Sequence, residues 1–287
     1  MNKLASPIVE GNGATSTTSS LLGGAGAVAP VAPLSVAAVA SNIAVLAYRN
    51  LVKFYRNRQL LLLSVVQPLT NMIMFAYVLN QVARVPGVSY KQFVVPGVLV
   101  QAVMVTAMRT GVAVSYDAHS GMNDRFRSMP IARSAVLVGR VVSDTVRIGA
   151  QTIVLVLVAV TFVGFDFRYG ALRAVGAVAA IVTFGLAVTA FSGWVGLVTT
   201  DPETAQTVLI TPTLPFVFGS SAFAPVSRLP SWMQPFASLN PVSSAVDLAR
   251  SLAIGGPLQA PFEHYVLWTG GLTIAFIYLG VRRYQRG

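Results

Sequence analysis

The feature that most constrains this chain is a series of long apolar runs that are almost free of charge. Six runs occur, at about 60–79, 93–115, 136–163, 171–199, 205–223 and 265–281. A helix needs roughly 20 mainly apolar residues to cross the hydrocarbon core of a bilayer. Charged residues make up only 10% of the sequence, whereas soluble domains carry about 25%. The pattern predicts an all-α membrane protein with six transmembrane helices. It disfavours a cytosolic enzyme, a disordered chain and a free DNA-binding domain.

Basic residues predict the orientation of these helices. With both termini in the cytoplasm, the inner segments hold eleven Lys and Arg residues and the outer segments hold six. Two basic clusters, at 49–58 and 282–286, flank spans on the same side, and Lys and Arg concentrate in cytoplasmic loops. The sequence thus predicts a multi-pass protein of the plasma (inner) membrane. The net charge of +11 is explained by loops that face anionic membrane lipids, and nucleic acid is not an expected partner.

The N-terminal part has a different composition. Residues 1–34 are rich in Ser, Thr, Gly, Ala and Pro, which indicates a disordered cytoplasmic tail. A signal peptide is disfavoured because Pro30 and Pro33 interrupt its apolar part. In residues 34–59, apolar side chains recur at helical spacing with basic residues largely off the stripe, which predicts an amphipathic helix in the membrane interface. The transmembrane domain is therefore assigned to 35–287.

The connection between the fifth and sixth spans, about 224–264, is too apolar for a free loop. Trp232 begins a stretch of interfacial character, and Asn240 with Pro241 opens a second helical stretch that runs to Ile254. We expect two short helices that dip into the outer leaflet as a re-entrant pair, with a surface loop as the alternative.

The segment between the second and third spans carries the most information about function. It combines a glycine turn, a basic and aromatic stretch and a proline, which indicates a short helix lying across the cytoplasmic face. Four strings, FVVPGVLVQ (93–101), GMNDRFRSMPIARS (121–134), GRVVSD (139–144) and LNPVSSAVDLARSLAIGG (239–256), resemble the type-2 ABC exporter permeases. The resemblance is to the daunorubicin-resistance family in particular and covers about 35–287.

The resemblance implies the permease subunit of an ATP-binding cassette exporter. Such a subunit pairs with a second permease as a homo- or heterodimer and docks a separate ATPase chain. The implied cargo is an amphipathic or hydrophobic compound, such as a drug, an antibiotic or a lipid-like metabolite, which leaves across the plasma membrane. The sequence lacks the phosphate-binding pattern G-x-x-x-x-G-K-[ST], so we expect no cofactor on this chain and Mg-ATP on the partner. No catalytic residue and no metal site is expected, since cysteine is absent and the two histidines are far apart.

Two groups of residues are candidate sites. The ATPase-coupling residues, on a cytoplasmic coupling helix between spans 2 and 3, are Asp124, Arg125, Phe126, Arg127, Met129 and Pro130. Phe126 is expected to be the apolar anchor of this interface, while Arg125 and Arg127 are also consistent with ordinary basic residues of an inner loop. The second group comprises polar residues inside spans and forms a possible substrate path: Gln67, Asn71, Gln101 and Arg109. The resemblance implies that the first, second and fifth spans line this path.

Several readings of the polar and charged residues remain open. The amides could instead bond between helices, and Arg109 could extend to the membrane surface or pair with Asp117. Arg140, Asp144 and Arg147 have the spacing of a ladder of ion pairs on one helix face. Asp201 is expected to cap a helix.

Two other function classes are the alternatives. A secondary transporter or channel is possible in principle, but we find no convincing internal repeat. A rhomboid-like intramembrane serine protease would need a serine and a histidine in one water-accessible cavity. The candidates are the GSSA stretch at 219–222 and His264. Nothing in the sequence requires these residues to lie within hydrogen-bond distance in one cavity.

Overall fold

The computed structural model describes residues 48, 52, 58–78, 80, 85, 87–120 and 133–286, and at 58–64, 133–138 and 284–286 it describes the backbone alone. The predicted tail, 1–34, lies outside the described residues. So does almost all of the predicted interfacial helix, of which only Tyr48 and Val52 are described, both as helical.

The described chain is built from α-helices. They are α1 (Arg58–Val78), α2 (Tyr90–His119), α3 (Arg133–Val158), α4 (Gly170–Val198), α5 (Pro202–Ile210), α6 (Thr213–Phe218), α7 (Gln234–Leu239), α8 (Pro241–Ile254) and α9 (Gln259–Arg286). A π-helical turn at Ala159–Val163 extends α3, and a 3-10 turn lies at Val226–Arg228. In the described ranges, β pairing is limited to one isolated bridge between Val85 and Val88. The predicted fold class, an all-α membrane protein, is confirmed.

Four of the described helices are long and apolar enough to cross a membrane. They are Tyr90–His119, Gly139–Val163, Gly170–Val198 and Gln259–Arg283, with mean hydropathy between 1.3 and 2.2. They coincide with the predicted second, third, fourth and sixth spans. The apolar part of α1, Val65–Val78, lies within the predicted first span. The chain is therefore a multi-pass membrane protein.

The predicted fifth span is not one continuous helix. α5 has nine residues and α6 has six, and each is shorter than the roughly 20 residues that a straight span needs. Pro212 lies between them, and it lacks the N–H that would continue the α5 hydrogen-bond ladder. The total of six spans remains a prediction.

α2 is the most buried of the candidate spans and packs closely on α4. Ser192 of α4 donates a hydrogen bond from its hydroxyl to the Ala107 carbonyl of α2 at 2.7 Å. Gly111 faces the Ser192 carbonyl so closely that a Cβ would clash with it, and Gly196 faces Gly111 in the same way. Small residues let membrane helices approach at this distance. α2 thereby holds a fixed position beside α1, α4 and α8.

α8 occupies the place where the sequence predicts the second short helix of the 224–264 connection. Asn240 caps it, because its Oδ1 accepts a hydrogen bond from the Val242 N–H at 2.9 Å and its Nδ2 donates to the Phe216 carbonyl at 2.7 Å. Gly255, with φ of 97°, ends it. Most of its side chains are buried, which explains the apolar composition of a segment that joins two predicted spans. Re-entry of α7 and α8 into the outer leaflet stays a prediction.

Candidate substrate path and the charged contacts around it

The four polar residues predicted to line a substrate path meet in one cleft between α1 and α2. Its lining is Gln67, Pro68 and Asn71 from α1, with Val98, Gln101, Ala102, Val105, Thr106 and Arg109 from α2. Gln101, Val105 and Arg109 share one helix face because they are four residues apart. The cleft holds about 30 Å³, whereas sites for drug-sized molecules measure roughly 300–1,000 Å³. We call it the polar cleft, and it can form only one wall of such a site.

Arg109 points into the polar cleft and not along the helix to its end. Its Nη2 donates a hydrogen bond to Gln67 Oε1 at 2.7 Å, and both side chains are exposed on the chain. Asp117, the other partner considered from the sequence, instead accepts a hydrogen bond from Arg140. The Arg109 guanidinium is thus hydrogen-bonded to a neutral amide between two apolar helices.

The remaining polar groups of the cleft differ in whether they have a hydrogen-bond partner. Thr106 donates from its hydroxyl to Gln151 Oε1 at 2.9 Å, which ties α2 to α3. Gln101 Oε1 is buried, and no hydrogen-bond partner for it is found among the described residues. The polar cleft is therefore lined by an exposed guanidinium and by a buried amide oxygen for which the described residues supply no partner.

A network of charges joins the end of α2 to α3. Arg140 forms an ion pair with Asp117, its Nε lies 3.9 Å from Asp144, and Arg147 lies 3.2 Å from the same Asp144. The ladder predicted on α3 is present as these ion pairs. Asp117 was missed as its partner, because the contact depends on how α2 and α3 pack and not on local spacing.

The two helices joined by this network flank the coupling segment. The six predicted coupling residues, Asp124, Arg125, Phe126, Arg127, Met129 and Pro130, lie outside the described residues. The structure does describe the two helices that this segment connects. α2 ends at His119 before the segment, and α3 begins at Arg133 after it.

Arg250 of α8 forms a second charged cluster, which the sequence did not single out. Its guanidinium lies 3.7 Å from the centre of the Phe93 ring and 3.0 Å from the Asp247 carboxylate. It also donates to the backbone carbonyls of Ser221, at 2.8 Å, and Phe93, at 3.2 Å. These contacts connect α8, α2 and the turn that follows α6.

The residues considered for a protease are engaged differently. Ser221 donates its hydroxyl hydrogen bond to Asp247 at 2.7 Å, and Ser220 donates to the Val217 carbonyl at 2.6 Å. His264 is exposed near the start of α9. The serines therefore serve the Arg250 cluster and the local turn.

A larger apolar cavity lies on another flank of α2, beside the break between α5 and α6. Its volume is about 280 Å³. Its lining is Met104, Met108, Phe184, Val188, Phe191, Val208, Leu209, Pro212, Thr213, Phe216, Pro241, Val242, Trp268, Leu272 and Phe276. The one hydroxyl in this lining, that of Thr213, is bonded to the Leu209 carbonyl at 2.9 Å. The cavity therefore offers apolar surface with little hydrogen-bonding capacity.

Comparison with known proteins identifies the family. The model of the family described as "ABC-2 type transporter" matches residues 41–254. The daunorubicin resistance ABC transporter permease protein DrrB1 of Streptomyces coeruleorubidus is 30% identical over 221 residues, which cover 77% of this chain and 78% of that protein. The probable doxorubicin resistance ABC transporter permease protein DrrC of Mycobacterium tuberculosis is 25% identical over 79% of this chain and 82% of its own length. The putative transport permease ycf38 of Porphyra purpurea is 24% identical over 74% of each chain. The family match extends over more than half of the sequence and includes α1, α2, α4 and α8, so this chain belongs to the ABC-2 type transporter family.

Proposed function

We propose that this chain is the permease subunit of an ABC exporter that moves an amphipathic or hydrophobic compound, such as a drug, an antibiotic or a lipid-like metabolite, out across the plasma membrane. A separate ATPase chain binds Mg-ATP and supplies the energy. The observation that carries this proposal is the family match over residues 41–254. The names of the relatives, which refer to permeases and to daunorubicin or doxorubicin resistance, support the cargo class.

The polar cleft supports a path that two permease subunits share. Polar and charged residues in membrane spans almost always face the interior of a bundle or a water-filled cavity. Arg109 and Gln67 are exposed on the single chain, so this face of α1 and α2 requires a cover. In our proposal a second permease, identical or different, supplies that cover and enlarges the site beyond about 30 Å³.

The proposed topology has six spans with both termini in the cytoplasm, α5 and α6 together forming a broken fifth span. The coupling segment, 121–134, then lies on the cytoplasmic side and docks the ATPase. The ion pairs that Arg140 makes with Asp117 and Asp144 hold the adjoining ends of α2 and α3 together. Movement of the docked segment is thereby passed to the helix that carries Arg109.

The test is co-expression with candidate ATP-binding cassette subunits, followed by purification through a tag on this chain. We expect a stable complex whose ATP hydrolysis increases when amphipathic compounds are added, and ATP-dependent transport after reconstitution. Transport that runs on an ion gradient without an ATPase would instead assign the chain to the secondary transporters.

A further inference from the structure

We infer that the apolar cavity beside the break between α5 and α6 binds one hydrocarbon chain of a membrane lipid, which enters from the side of the protein. The apolar cavity has a volume of about 280 Å³ and shares no lining residue with the polar cleft. Three observations carry the inference: the depth of the cavity in the spans, the exposed residues at its mouth, and its almost wholly apolar lining. The ligand is a lipid and not the cargo, so the inference does not depend on the proposed function.

The apolar cavity lies at the middle of three candidate spans. Met104 is 14 residues from the start of α2 and 15 from its end, and Phe184 is 14 residues from either end of α4. Leu272 lies 13 residues after the start of the span Gln259–Arg283 and 11 before its end. At about 1.5 Å per residue the cavity is roughly 16–23 Å from the helix ends, whereas the hydrocarbon core of a bilayer extends about 15 Å from its centre. The cavity is therefore at the depth of the lipid chains.

The mouth of the apolar cavity lies on the surface of the described helices. Its floor is buried and includes Met104 and Phe184. Val208 at the end of α5, Pro212 in the break that follows, and Trp268 of α9 are exposed lining residues. Because Pro212 interrupts the hydrogen-bond ladder of α5, this wall consists of two short helices and not of one continuous rod. The opening lies between the broken segment and α9, and at this depth it faces lipid chains.

The lining favours a hydrocarbon chain over an amphipathic cargo molecule. Sites for drug-sized molecules are mainly apolar but hold a few polar groups that orient the ligand. The lining contains no charged side chain, and its one hydroxyl, that of Thr213, already donates to the Leu209 carbonyl at 2.9 Å. The indole of Trp268, which carries an N–H, belongs to the exposed mouth. The floor of the cavity therefore offers no free donor that could orient a polar ligand.

The size of the apolar cavity and its wall suit a flexible chain. An apolar cavity of about 150 Å³ stays free of water and binds benzene, so one of about 280 Å³ accommodates on the order of ten carbon atoms. Lipid tails are as apolar as the lining, so the chain gains little hydrophobic free energy by leaving the bilayer. Van der Waals contact with an ordered wall retains it. Phe191 and Phe276 belong to this wall and fix one another edge to face, with ring centroids 5.0 Å apart.

The first experiment is native mass spectrometry of the purified full-length chain released from a mild detergent. We expect one phospholipid to be retained per chain. Val208→Trp places an indole in the mouth, at a side chain that is 47% exposed, and should abolish retention while the amount of folded protein is unchanged. Val266→Trp on α9 is the matched control, because Val266 is 49% exposed and lies outside the lining, and it should keep the lipid. An unaltered chain without a retained lipid, or equal retention by the two variants, would overturn the inference.

The second experiment locates the bound chain by fluorescence and does not require a blocked mouth. In a variant whose only tryptophan is Trp268, made by Trp194→Phe and Trp232→Phe, dibromostearoyl phosphatidylcholine added in detergent should quench most of the emission and saturate at one lipid per chain. Methyl dibromostearate, which lacks the head group, should quench it as well, because the hydrocarbon chain is what binds. A variant that keeps only Trp232, which is exposed and outside the lining, should show weak quenching without saturation.

The alternative occupants give different results. Equal quenching of Trp268 and Trp232, or quenching that requires the phosphocholine head group, would show that no chain enters the apolar cavity. Replacement of the lipid mass by the mass of doxorubicin, when this drug is added before native mass spectrometry, would assign the cavity to cargo and overturn the inference. None of these measurements uses the ATPase, so failure of the proposed function would appear separately, as absence of the complex.

Discussion

At the scale of single residues, this protein contains charges that are accommodated in three different ways. Arg109 is hydrogen-bonded to a neutral amide, Arg140 to carboxylates, and Arg250 to a carboxylate, two carbonyls and an aromatic face. Arg140 and Arg250 have their partners within the chain, so they stabilise the fold. Within the described ranges, the hydrogen-bond partner of Arg109 is Gln67, and its side chain is exposed on the single chain.

Loss of the Arg250 side chain should destabilise the protein. Arg250→Ala removes one ion pair, two hydrogen bonds to carbonyls and the contact with the Phe93 ring, and it leaves those carbonyls without their donor. We expect a loss of about 2–4 kcal/mol in the free energy of unfolding, somewhat below the cost of breaking a fully buried pair because Asp247 keeps 38% of its side chain exposed. Denaturant unfolding of the purified protein in detergent measures this. Arg228→Ala, at an exposed residue of the 3-10 turn, is the control and should change the stability little; equal effects of the two variants would contradict the cluster.

Acid should weaken the start of α5 through Asp201. The N–H and the hydroxyl of Thr204 and the hydroxyl of Thr200 donate to this carboxylate and lower its pKa from 3.8 to about 2. Since the folded pKa is depressed, the stabilisation is fully present above about pH 4 and is lost as the pH falls through about 2. The difference in unfolding midpoint between the unaltered chain and Asp201→Asn should therefore shrink over that interval. Glu203→Gln, two residues further on, is the matched control; the same pH response in both variants would remove Asp201 as the cause.

At the scale of helices, the sequence located both ends of α8 but not the break within the predicted fifth span. Asn240, Pro241 and Gly255 bound α8 where the sequence predicts a helix, because capping and φ preferences act over a few residues. The apolar run at 205–223 predicts one span, whereas the structure has two short helices there, separated at Pro212. In the structure α6 contacts α7 through aromatic rings: the ring centroids of Phe216 and Phe236 are 5.7 Å apart. Such contacts between distant segments are not encoded in local periodicity.

The contact of α2 with α4 should depend on glycine at position 111. Gly111→Ala would place a methyl group against the Ser192 carbonyl of α4, and overpacking of this kind costs about 1–3 kcal/mol. Gly270 lies within α9, where nothing is found within 4 Å of an added Cβ, so Gly270→Ala should be neutral or stabilise by up to about 1 kcal/mol. Thermal inactivation of both purified variants gives the comparison. A Gly111→Ala variant as stable as Gly270→Ala would show that α2 and α4 can separate freely.

The coupling segment should be required for binding of the ATPase but not for membrane insertion. Phe126→Ala removes the predicted apolar anchor and should weaken docking by on the order of 2 kcal/mol or more. Replacement of Arg125 and Arg127 by Glu should weaken it further and make it sensitive to salt. Co-purification and transport are the measurements, with the amount of inserted protein determined in parallel. Phe262→Ala, at an exposed aromatic residue of α9, is the control. Full co-purification of all variants would reduce 121–134 to a basic inner loop.

At the scale of the whole molecule, the sequence predicted the fold class and the family, but not the contacts between helices. Polar residues stand out inside apolar runs, so Gln67, Asn71, Gln101 and Arg109 could be recognised, and packing of α1 on α2 brings them together. The pairing of Asp117 with Arg140 depends on the rotation and depth of two helices. A hydropathy profile gives neither the rotation of a helix about its axis nor its depth.

The path of the chain after α4 determines the topology. α4 ends at Val198 and α9 runs from Gln259 to Arg286, where basic residues favour a cytoplasmic end. If the turn around Asp201 is also cytoplasmic, the chain has to reach the outer side before α9 begins. α5 and α6 are the only helices of the described chain that lie between that turn and the exposed Ser227. α5 and α6 can therefore cross together as a broken span; if no helix of this region crosses, α9 starts on the inner side and its basic end lies outside.

Labelling of single cysteines distinguishes these two topologies, and the sequence offers no background because it contains no cysteine. Ser6→Cys, Ser227→Cys and Gln285→Cys would be treated in intact cells with a membrane-impermeant maleimide, and again after permeabilisation. Six spans predict labelling of Ser227→Cys in intact cells and of the other two only after permeabilisation. If α5 and α6 turn back instead of crossing, Ser227→Cys would require permeabilisation while Gln285→Cys would react in intact cells. That result would leave five crossings and would place the two termini on opposite sides of the membrane. It would also separate the basic cluster at 282–286 from the side on which the coupling segment docks the ATPase.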